Sequence, residues 1–143
     1  MPAGPAVGGF LYFAGVKVAG YTIAVPFIKR VYDSNASKPS TLSVGLTRTA
    51  IGVGVGITYG GLWALLREKL HIPDALNAGI FMAVLVPIRF VEWKALVKIF
   101  FDRTLSKQRE LWKVQLGGTI WSYCLDGIGI LAAFVLPGGM WIC

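Results

Sequence analysis

The chain has 143 residues, of which 55% are hydrophobic and 15% are charged, with 14 Lys and Arg against 7 Asp and Glu. A soluble domain averages about 45–50% apolar and about 25% charged residues, so this chain has too little polar material for a water-exposed surface. The mean hydropathy of +0.65 agrees with that deficit. The composition therefore excludes a disordered chain, argues against a water-soluble enzyme and predicts an integral membrane protein.

Four stretches are long and apolar enough to cross a hydrocarbon layer of about 30 Å, which takes about 20 residues. In chain order they are residues 8–28, 44–66, 75–91 and 115–136. Residues 89–113 combine aromatic side chains with lysine and arginine at helical spacing, a pattern typical of a helix that lies in the membrane interface. We therefore predict an all-α fold with one domain over residues 1–143: four transmembrane helices, with an interfacial amphipathic helix between helices 3 and 4.

The basic residues are distributed unequally between the connections, and this distribution predicts the orientation in the membrane. The first connection holds three Lys and Arg and the third holds seven, whereas the second holds two and neither terminus holds any. We expect the first and third connections on the cytoplasmic side, or its organellar equivalent, and both termini on the other side. The membrane would be a bacterial cytoplasmic membrane or an organellar inner membrane.

The aromatic and basic side chains of residues 89–113 are candidates for a surface that contacts anionic lipid headgroups or a partner chain. They are Arg89, Trp93, Lys94, Lys98, Arg103, Lys107, Arg109 and Lys113. Two interpretations stay open: a solvated helix on the bilayer surface, and a docking surface for another membrane protein or a second copy. Nucleic acid is not predicted as a partner, because the basic residues lie between apolar runs.

Two ionisable residues lie near the middle of predicted spans, Lys17 in the first and Asp126 in the fourth. A charge at the bilayer centre costs about 2.5–3.5 kcal/mol on insertion scales. Because both residues lie at mid-span, they would reach the same depth whichever way the two helices run. We therefore predict a buried ion pair between Lys17 and Asp126. Arg48 is the rival partner, but it lies about one turn inside the second span and could extend to the basic side.

Polar residues share the helix faces that carry these two charges. On the fourth span, positions i, i+3, i+4 and i+7 are Thr119, Ser122, Tyr123 and Asp126. On the first span, Tyr21 follows Lys17 by four residues, which places both on one face. A polar face beside a buried cation is typical of an ion or proton path, and it is also typical of hydroxyl groups that join packed helices. Both interpretations stay open.

The second span carries glycine at every fourth position, at Gly52, Gly56 and Gly60. Glycines four residues apart leave a flat helix face on which another helix backbone can approach closely. The repeat therefore indicates helix packing, either within this bundle or against another chain.

The sequence offers no catalytic or cofactor-binding set that we recognise. His71 is the only histidine, and the chain has two cysteines without zinc-site spacing and no phosphate-binding loop. No cofactor and no metal is therefore predicted. The functional hypothesis is a non-catalytic packing or assembly subunit of a homo- or hetero-oligomeric membrane complex. The alternative is a small transporter or channel that uses the polar face around Lys17 and Asp126.

Overall fold

The computed structural model describes residues 7–32 and 39–133 as four α-helices, and this part of the chain contains no strand. The helices are α1 (Val7–Tyr32), α2 (Thr41–Leu70), α3 (Asp74–Phe100) and α4 (Gln108–Ala133). The prediction of an all-α fold is therefore confirmed. Among the described residues, two helical segments are long and apolar enough to cross a membrane, Leu11–Tyr32 and Thr41–Leu70. They point to a membrane location. The last three residues of the fourth predicted span, 134–136, lie outside the described part.

The four helices form a ring in chain order. α1 packs against α2 and α4, and α3 packs against the same two helices. Consecutive helices are antiparallel because their connections are short. Side chains from α1 and α3 meet across the middle of the ring, where Tyr21 contacts Trp93. The interior of the bundle is therefore lined by all four helices.

At three glycines an added Cβ would overlap atoms of a neighbouring helix. A Cβ on Gly45 of α2 would overlap Thr22 Oγ1 of α1 and would lie 3.1 Å from the Thr22 backbone nitrogen. A Cβ on Gly20 of α1 would overlap the Leu125 side chain, and one on Gly118 of α4 would overlap the ring of Trp93. Glycine is needed at Gly45 and Gly118 because a backbone or a buried ring occupies the space of a side chain, whereas at Gly20 only the flexible end of Leu125 would have to shift.

The glycine repeat of α2 shows no close approach of another helix backbone at Gly52 or Gly60. A Cβ at Gly60, or at its neighbours Gly54 and Gly61, would meet nothing within 4 Å. A Cβ at Gly52 would meet the guanidinium nitrogens of two arginines, and no backbone of a second helix. Gly56 is half-buried. An added Cβ at Gly52 or Gly60 would therefore approach no backbone of another described helix, and the packing role of the repeat stays a prediction.

The structure corrects the prediction of a separate interfacial helix over residues 89–113. α3 continues through Pro87 to Phe100, so the first half of the segment belongs to that helix. Residues 101–107 form a loop, and the remainder is the beginning of α4. The aromatic residues do lie at helical spacing, but they belong to the continuation of the third helix and not to a separate helix.

The loop forms at this place because Asp102 binds the backbone donors that a continuing helix would use. Its carboxylate accepts hydrogen bonds from the backbone N–H groups of Lys107 and Thr104, at 3.1 Å each. It also accepts from the hydroxyls of Thr104, at 2.9 Å, and Ser106, at 3.3 Å. The bond from the Lys107 N–H is the largest of the causes that lower the pKa of Asp102 below its usual value. Such local bonds compete with helix continuation.

Candidate functional site

Five charged side chains from all four helices meet in the interior of the bundle. We call them the charge cluster: Lys17, Arg48, Arg89, Glu92 and Asp126. Each of these residues is at most 3% exposed. α3 contributes two of them and each of the other helices contributes one, so the cluster exists only when the four helices are packed together.

The ion pairs of the charge cluster form a chain of alternating charge. Lys17 Nζ contacts Asp126 Oδ1, which is the pair that the sequence predicts. The other oxygen, Asp126 Oδ2, accepts a bond of 3.1 Å from Arg89 Nη2. Arg89 Nη1 donates to Glu92 Oε2 at 3.1 Å, and the same oxygen accepts from Arg48 Nη2 at 2.7 Å. Each carboxylate lies between two cations, so the chain begins and ends on a cation.

Ser122 and two aromatic rings hold Arg48, one of the two cationic ends of this chain, in place. The Ser122 hydroxyl accepts from Tyr21 OH and from Trp93 Nε1, at 3.3 Å each, and lies 3.5 Å from Arg48 Nη2. The two rings meet edge to face, with centroids 5.8 Å apart. The Arg48 guanidinium carbon lies 4.7 Å from the Tyr21 centroid and 5.0 Å from the Trp93 centroid. Both distances are in the range of cation–π attraction.

The polar face predicted on α1 and α4 is only partly assembled at this site. The four residues that the structure brings together are Lys17, Tyr21, Ser122 and Asp126. Thr119 is buried on the same side of α4, but its hydroxyl has no hydrogen-bond partner. Tyr123 lies outside the cluster, because its hydroxyl donates to the Met82 carbonyl at 2.7 Å.

Two residues predicted for a lipid or partner surface lie inside the bundle. Arg89 and Trp93 are each 1% exposed, which corrects that assignment. Arg89 is drawn inward by the carboxylates of Glu92 and Asp126. Trp93 fits inside because Gly118 has no side chain at the point where the indole lies. Neither residue is available to a lipid headgroup or to a docking partner.

The other predicted surface residues are exposed, and they share one end of the bundle. They are Lys94, Lys98, Arg103, Lys107, Arg109 and Lys113. Lys29 and Arg30 lie in the last turn of α1, which ends on the same side. Lys107 Nζ donates to the carbonyl of Tyr32, the last residue of α1, at 3.4 Å. A cation there is favoured by the negative end of the helix dipole. We call this region the basic end.

Sequence reasoning missed three members of the charge cluster. Arg48 was expected to extend to the basic side, but it is fully buried and paired with Glu92. From the sequence, Arg89 is expected on the surface and Glu92 has no predicted role. A signal was present, because any charge inside an apolar span is a candidate for a buried pair. Arg89 and Glu92 also carry opposite charges three residues apart on one helix, at the spacing of a helical ion pair.

Several buried donors in the cluster have no partner. Arg48 Nε, Arg48 Nη1 and Arg89 Nε are all shielded from solvent and make no hydrogen bond. In the described part of the chain, no group of three His, Cys, Asp or Glu could hold a metal ion. The cluster therefore combines concentrated charge with buried N–H donors that have no partner among the described residues.

No protein-family model, no curated protein and no solved structure matches this chain.

Proposed function

We propose that this chain is a small membrane protein, with all four helices crossing the bilayer, that binds and carries a small charged solute at the charge cluster. The observation that carries the proposal is the burial of five charged side chains from four helices. A core with a purely structural role does not need them, because replacing buried ion pairs by apolar side chains is often neutral or stabilising. Ionisable groups inside a membrane protein are functional-site candidates by default.

The outer surface of the bundle supports the membrane part of the proposal. Each helix exposes large aliphatic side chains, for example Ile23, Ile57, Val91 and Leu131, and each of these four is more than half exposed. An apolar surface on all sides is unfavourable in water and favourable in lipid. The basic end would lie on the cytoplasmic side against anionic headgroups, with the termini on the other side. A bacterial cytoplasmic or an organellar inner membrane fits this orientation.

The test is ion flux by the protein alone. Purified protein is reconstituted into liposomes, an ion gradient is imposed, and flux is followed with a potential-sensitive dye. We expect flux above that of empty liposomes, and we expect Glu92→Gln to abolish it because two arginines lose their shared carboxylate. Glu68→Gln is the matched control, since Glu68 is an exposed carboxylate of α2. The proposal would be contradicted if liposomes that contain the wild-type protein leak no faster than empty liposomes for any small ion tested.

A second candidate function is assembly into a larger membrane complex, without catalysis or transport. Its supporting observation is the open side of α2, where a Cβ on Gly54, Gly60 or Gly61 would meet nothing within 4 Å of the described residues. Another helix could approach there. Gly60→Leu would then release the partner or second copy without harming the monomer. A native mass in mild detergent that equals one chain, for both the wild type and Gly60→Leu, would contradict this candidate.

A further inference from the structure

A groove of about 300 Å³ lies between α1 and α4 on the outer side of the bundle, and we call it the lateral groove. Small residues line both sides of it, Ala24 on α1 and the pair Gly117 and Gly118 on α4. Ile23 and Phe27 also line it, and each of them is more than half exposed. The lateral groove therefore opens to the outside of the bundle.

The lateral groove is apolar along its inner wall and at its far end. Trp93 of α3 is 1% exposed and lines the groove from the interior. Trp121 lines it at the end away from the basic end, and its Nε1 donates to the Gly20 carbonyl of α1 at 2.9 Å. None of the described lining residues is charged. The part of an occupant that enters this groove is therefore apolar, because a polar group would find no hydrogen-bond partner there.

Two cations lie where the lateral groove approaches the basic end. Arg30 follows Phe27 by three residues on α1, and Lys113 precedes Gly117 by four residues on α4. At this spacing each cation lies one turn from a lining residue, on the same helix face. Both cations are exposed, and neither forms an ion pair within the described part of the chain. They are therefore available to a negative group outside the bundle.

The charge of the whole basic end favours such a group. Its eight lysines and arginines stand against two described carboxylates, Asp102 and Glu110. The Asp102 carboxylate already accepts bonds from its own loop. An anionic headgroup is attracted by each basic residue that lies near it. The lateral groove and its surroundings thus change from apolar to basic along the helix axis.

We propose that the lateral groove binds one acyl chain of an anionic phospholipid, with the headgroup phosphate against Arg30 and Lys113. From Val114 to Trp121 the groove extends about 10 Å along α4, at about 1.5 Å per residue. This length lies within one leaflet, because the whole hydrocarbon core is about 30 Å thick. A partner helix is about 10–12 Å across with its side chains, too wide to enter the groove. The inference rests on the membrane part of the proposed function and does not involve a transported solute.

The test counts the lipids that stay bound to the purified full chain, by native mass spectrometry in a mild detergent. Phosphatidylglycerol and phosphatidylcholine with identical acyl chains are added separately over a series of concentrations. We expect one phosphatidylglycerol per chain at concentrations at which phosphatidylcholine is not retained, because only phosphatidylglycerol carries a net negative charge. Equal retention of the two lipids would overturn the inference.

A pair of alanine variants tests the acyl-chain part of the site. Ala24→Leu extends a larger side chain into the lateral groove, so the affinity for phosphatidylglycerol should fall about tenfold, the loss expected when about two methylene groups are displaced. Ala50→Leu makes the same change at an exposed position of α2 and should keep the wild-type affinity. Equal affinities in the two variants would place the acyl chain elsewhere and overturn the inference.

A pair of charge variants tests the headgroup part, and these changes are at exposed positions that do not endanger folding. The double variant Arg30→Gln with Lys113→Gln should lose affinity for phosphatidylglycerol by roughly tenfold or more. The double variant Lys94→Gln with Lys98→Gln removes the same charge from α3 at the same end and should keep the wild-type affinity. Equal losses would show general attraction to the basic end and overturn a site at this groove.

The remaining outcomes separate the lipid from other occupants and from the proposed function. A native mass of two chains that Ala24→Leu reduces to one would assign the lateral groove to a second copy and overturn the lipid site. Selective retention of phosphatidylglycerol by a protein that gives no flux in liposomes would support the lipid site and contradict transport. Flux by a protein that retains both lipids equally would overturn the lipid site and leave transport.

Discussion

Arg48 of α2 and Glu92 of α3 share a hydrogen bond of 2.7 Å between Nη2 and Oε2, with both side chains removed from solvent. The same carboxylate oxygen accepts a bond from Arg89. Glu92 is therefore the only carboxylate in contact with Arg48 among the described residues, and one of two in contact with Arg89. The three cations of the cluster outnumber its two carboxylates. Losing a carboxylate therefore increases the charge imbalance, whereas losing a cation removes it.

Removing Glu92 should be more damaging than removing its partner Arg48. Glu92→Gln leaves three cations against one carboxylate, and breaking a buried pair in this way typically costs about 3–5 kcal/mol. Arg48→Met leaves the cluster balanced, so its cost should be clearly smaller. The measurement is the melting temperature of the purified protein in detergent, with Glu68→Gln as an exposed control. Equal losses for Glu92→Gln and Arg48→Met would show that charge balance does not govern stability here.

Removing Asp126 should lower the stability more than removing Lys17, and the effects of the two changes should be strongly coupled. Asp126→Asn leaves two cations facing a neutral amide, whereas Lys17→Met leaves Asp126 with its other partner, Arg89. Asp126→Asn should therefore lower the melting temperature more. The double variant should recover much of that loss, because it restores the wild-type excess of one positive charge. Strictly additive losses in this double-mutant cycle would contradict the coupling.

The double variant also separates the two candidate functions. A transport protein carrying Lys17→Met and Asp126→Asn should be stable but inactive in the liposome assay. An assembly subunit with the same two changes should still form its complex.

Gly118 should tolerate no side chain, whereas the neighbouring Gly117 should tolerate one. A methyl group on Gly118 would overlap the buried Trp93 indole. Gly118→Ala should therefore destabilise the protein by about 1–3 kcal/mol through overpacking. A methyl group on Gly117 would lie 3.7 Å from Phe27 Cε1, an ordinary contact, so Gly117→Ala is the matched control. Similar melting temperatures for the two variants would mean that Trp93 is not held at this place.

The loop between α3 and α4 should become less protected from hydrogen exchange in acid. The pKa of Asp102 is lowered because its carboxylate accepts bonds from Lys107, Thr104 and Ser106. A carboxylate with a lowered pKa in the folded protein stabilises the fold fully above its unfolded pKa of about 3.9, and this stabilisation is lost as the pH falls through the lower folded value.

Hydrogen exchange at the amides of Thr104 and Lys107 measures this effect. After correction for the intrinsic pH dependence of exchange, protection should fall only below the usual pKa of aspartate. Asp102→Ala should remove the protection at neutral pH. Protection in Asp102→Ala that equals the wild type would show that the loop is held by other contacts.

The orientation prediction can be tested with single cysteines. In a background with Cys124 and Cys143 replaced by alanine, Ser106→Cys places a thiol in the loop at the basic end, and Glu68→Cys places one near the opposite turn. In intact cells an impermeant reagent should label position 68 from outside and not position 106. The opposite labelling would reverse the orientation, and equal labelling would contradict an arrangement in which the two connections lie on opposite sides.

Much of the fold follows from local properties of the chain. The hydrophobic content and spacing of the apolar runs predict four spans, and the described residues form four helices within one or two turns of the predicted bounds at most ends. Lys17 and Asp126 were predictable as partners because a lone charge deep in an apolar segment has few ways to be neutralised. The predicted third helix was too short, because Arg89, Glu92, Lys94 and Lys98 made its second half look like a surface segment.

The same charges could not be assigned to the inside or the outside from their spacing alone. Helical periodicity shows that Lys94 and Lys98 share a face, but the face that turns inward depends on what the neighbouring helices present. Arg89 turns inward because it bonds to Asp126, which lies on α4 and 37 positions away in the sequence. Trp93 turns inward because α4 has a glycine opposite it. The composition and period of a segment are properties of that segment, whereas the partner of a buried charge belongs to another helix. For that reason Arg48 and Glu92 become a pair only when α2 and α3 are packed side by side.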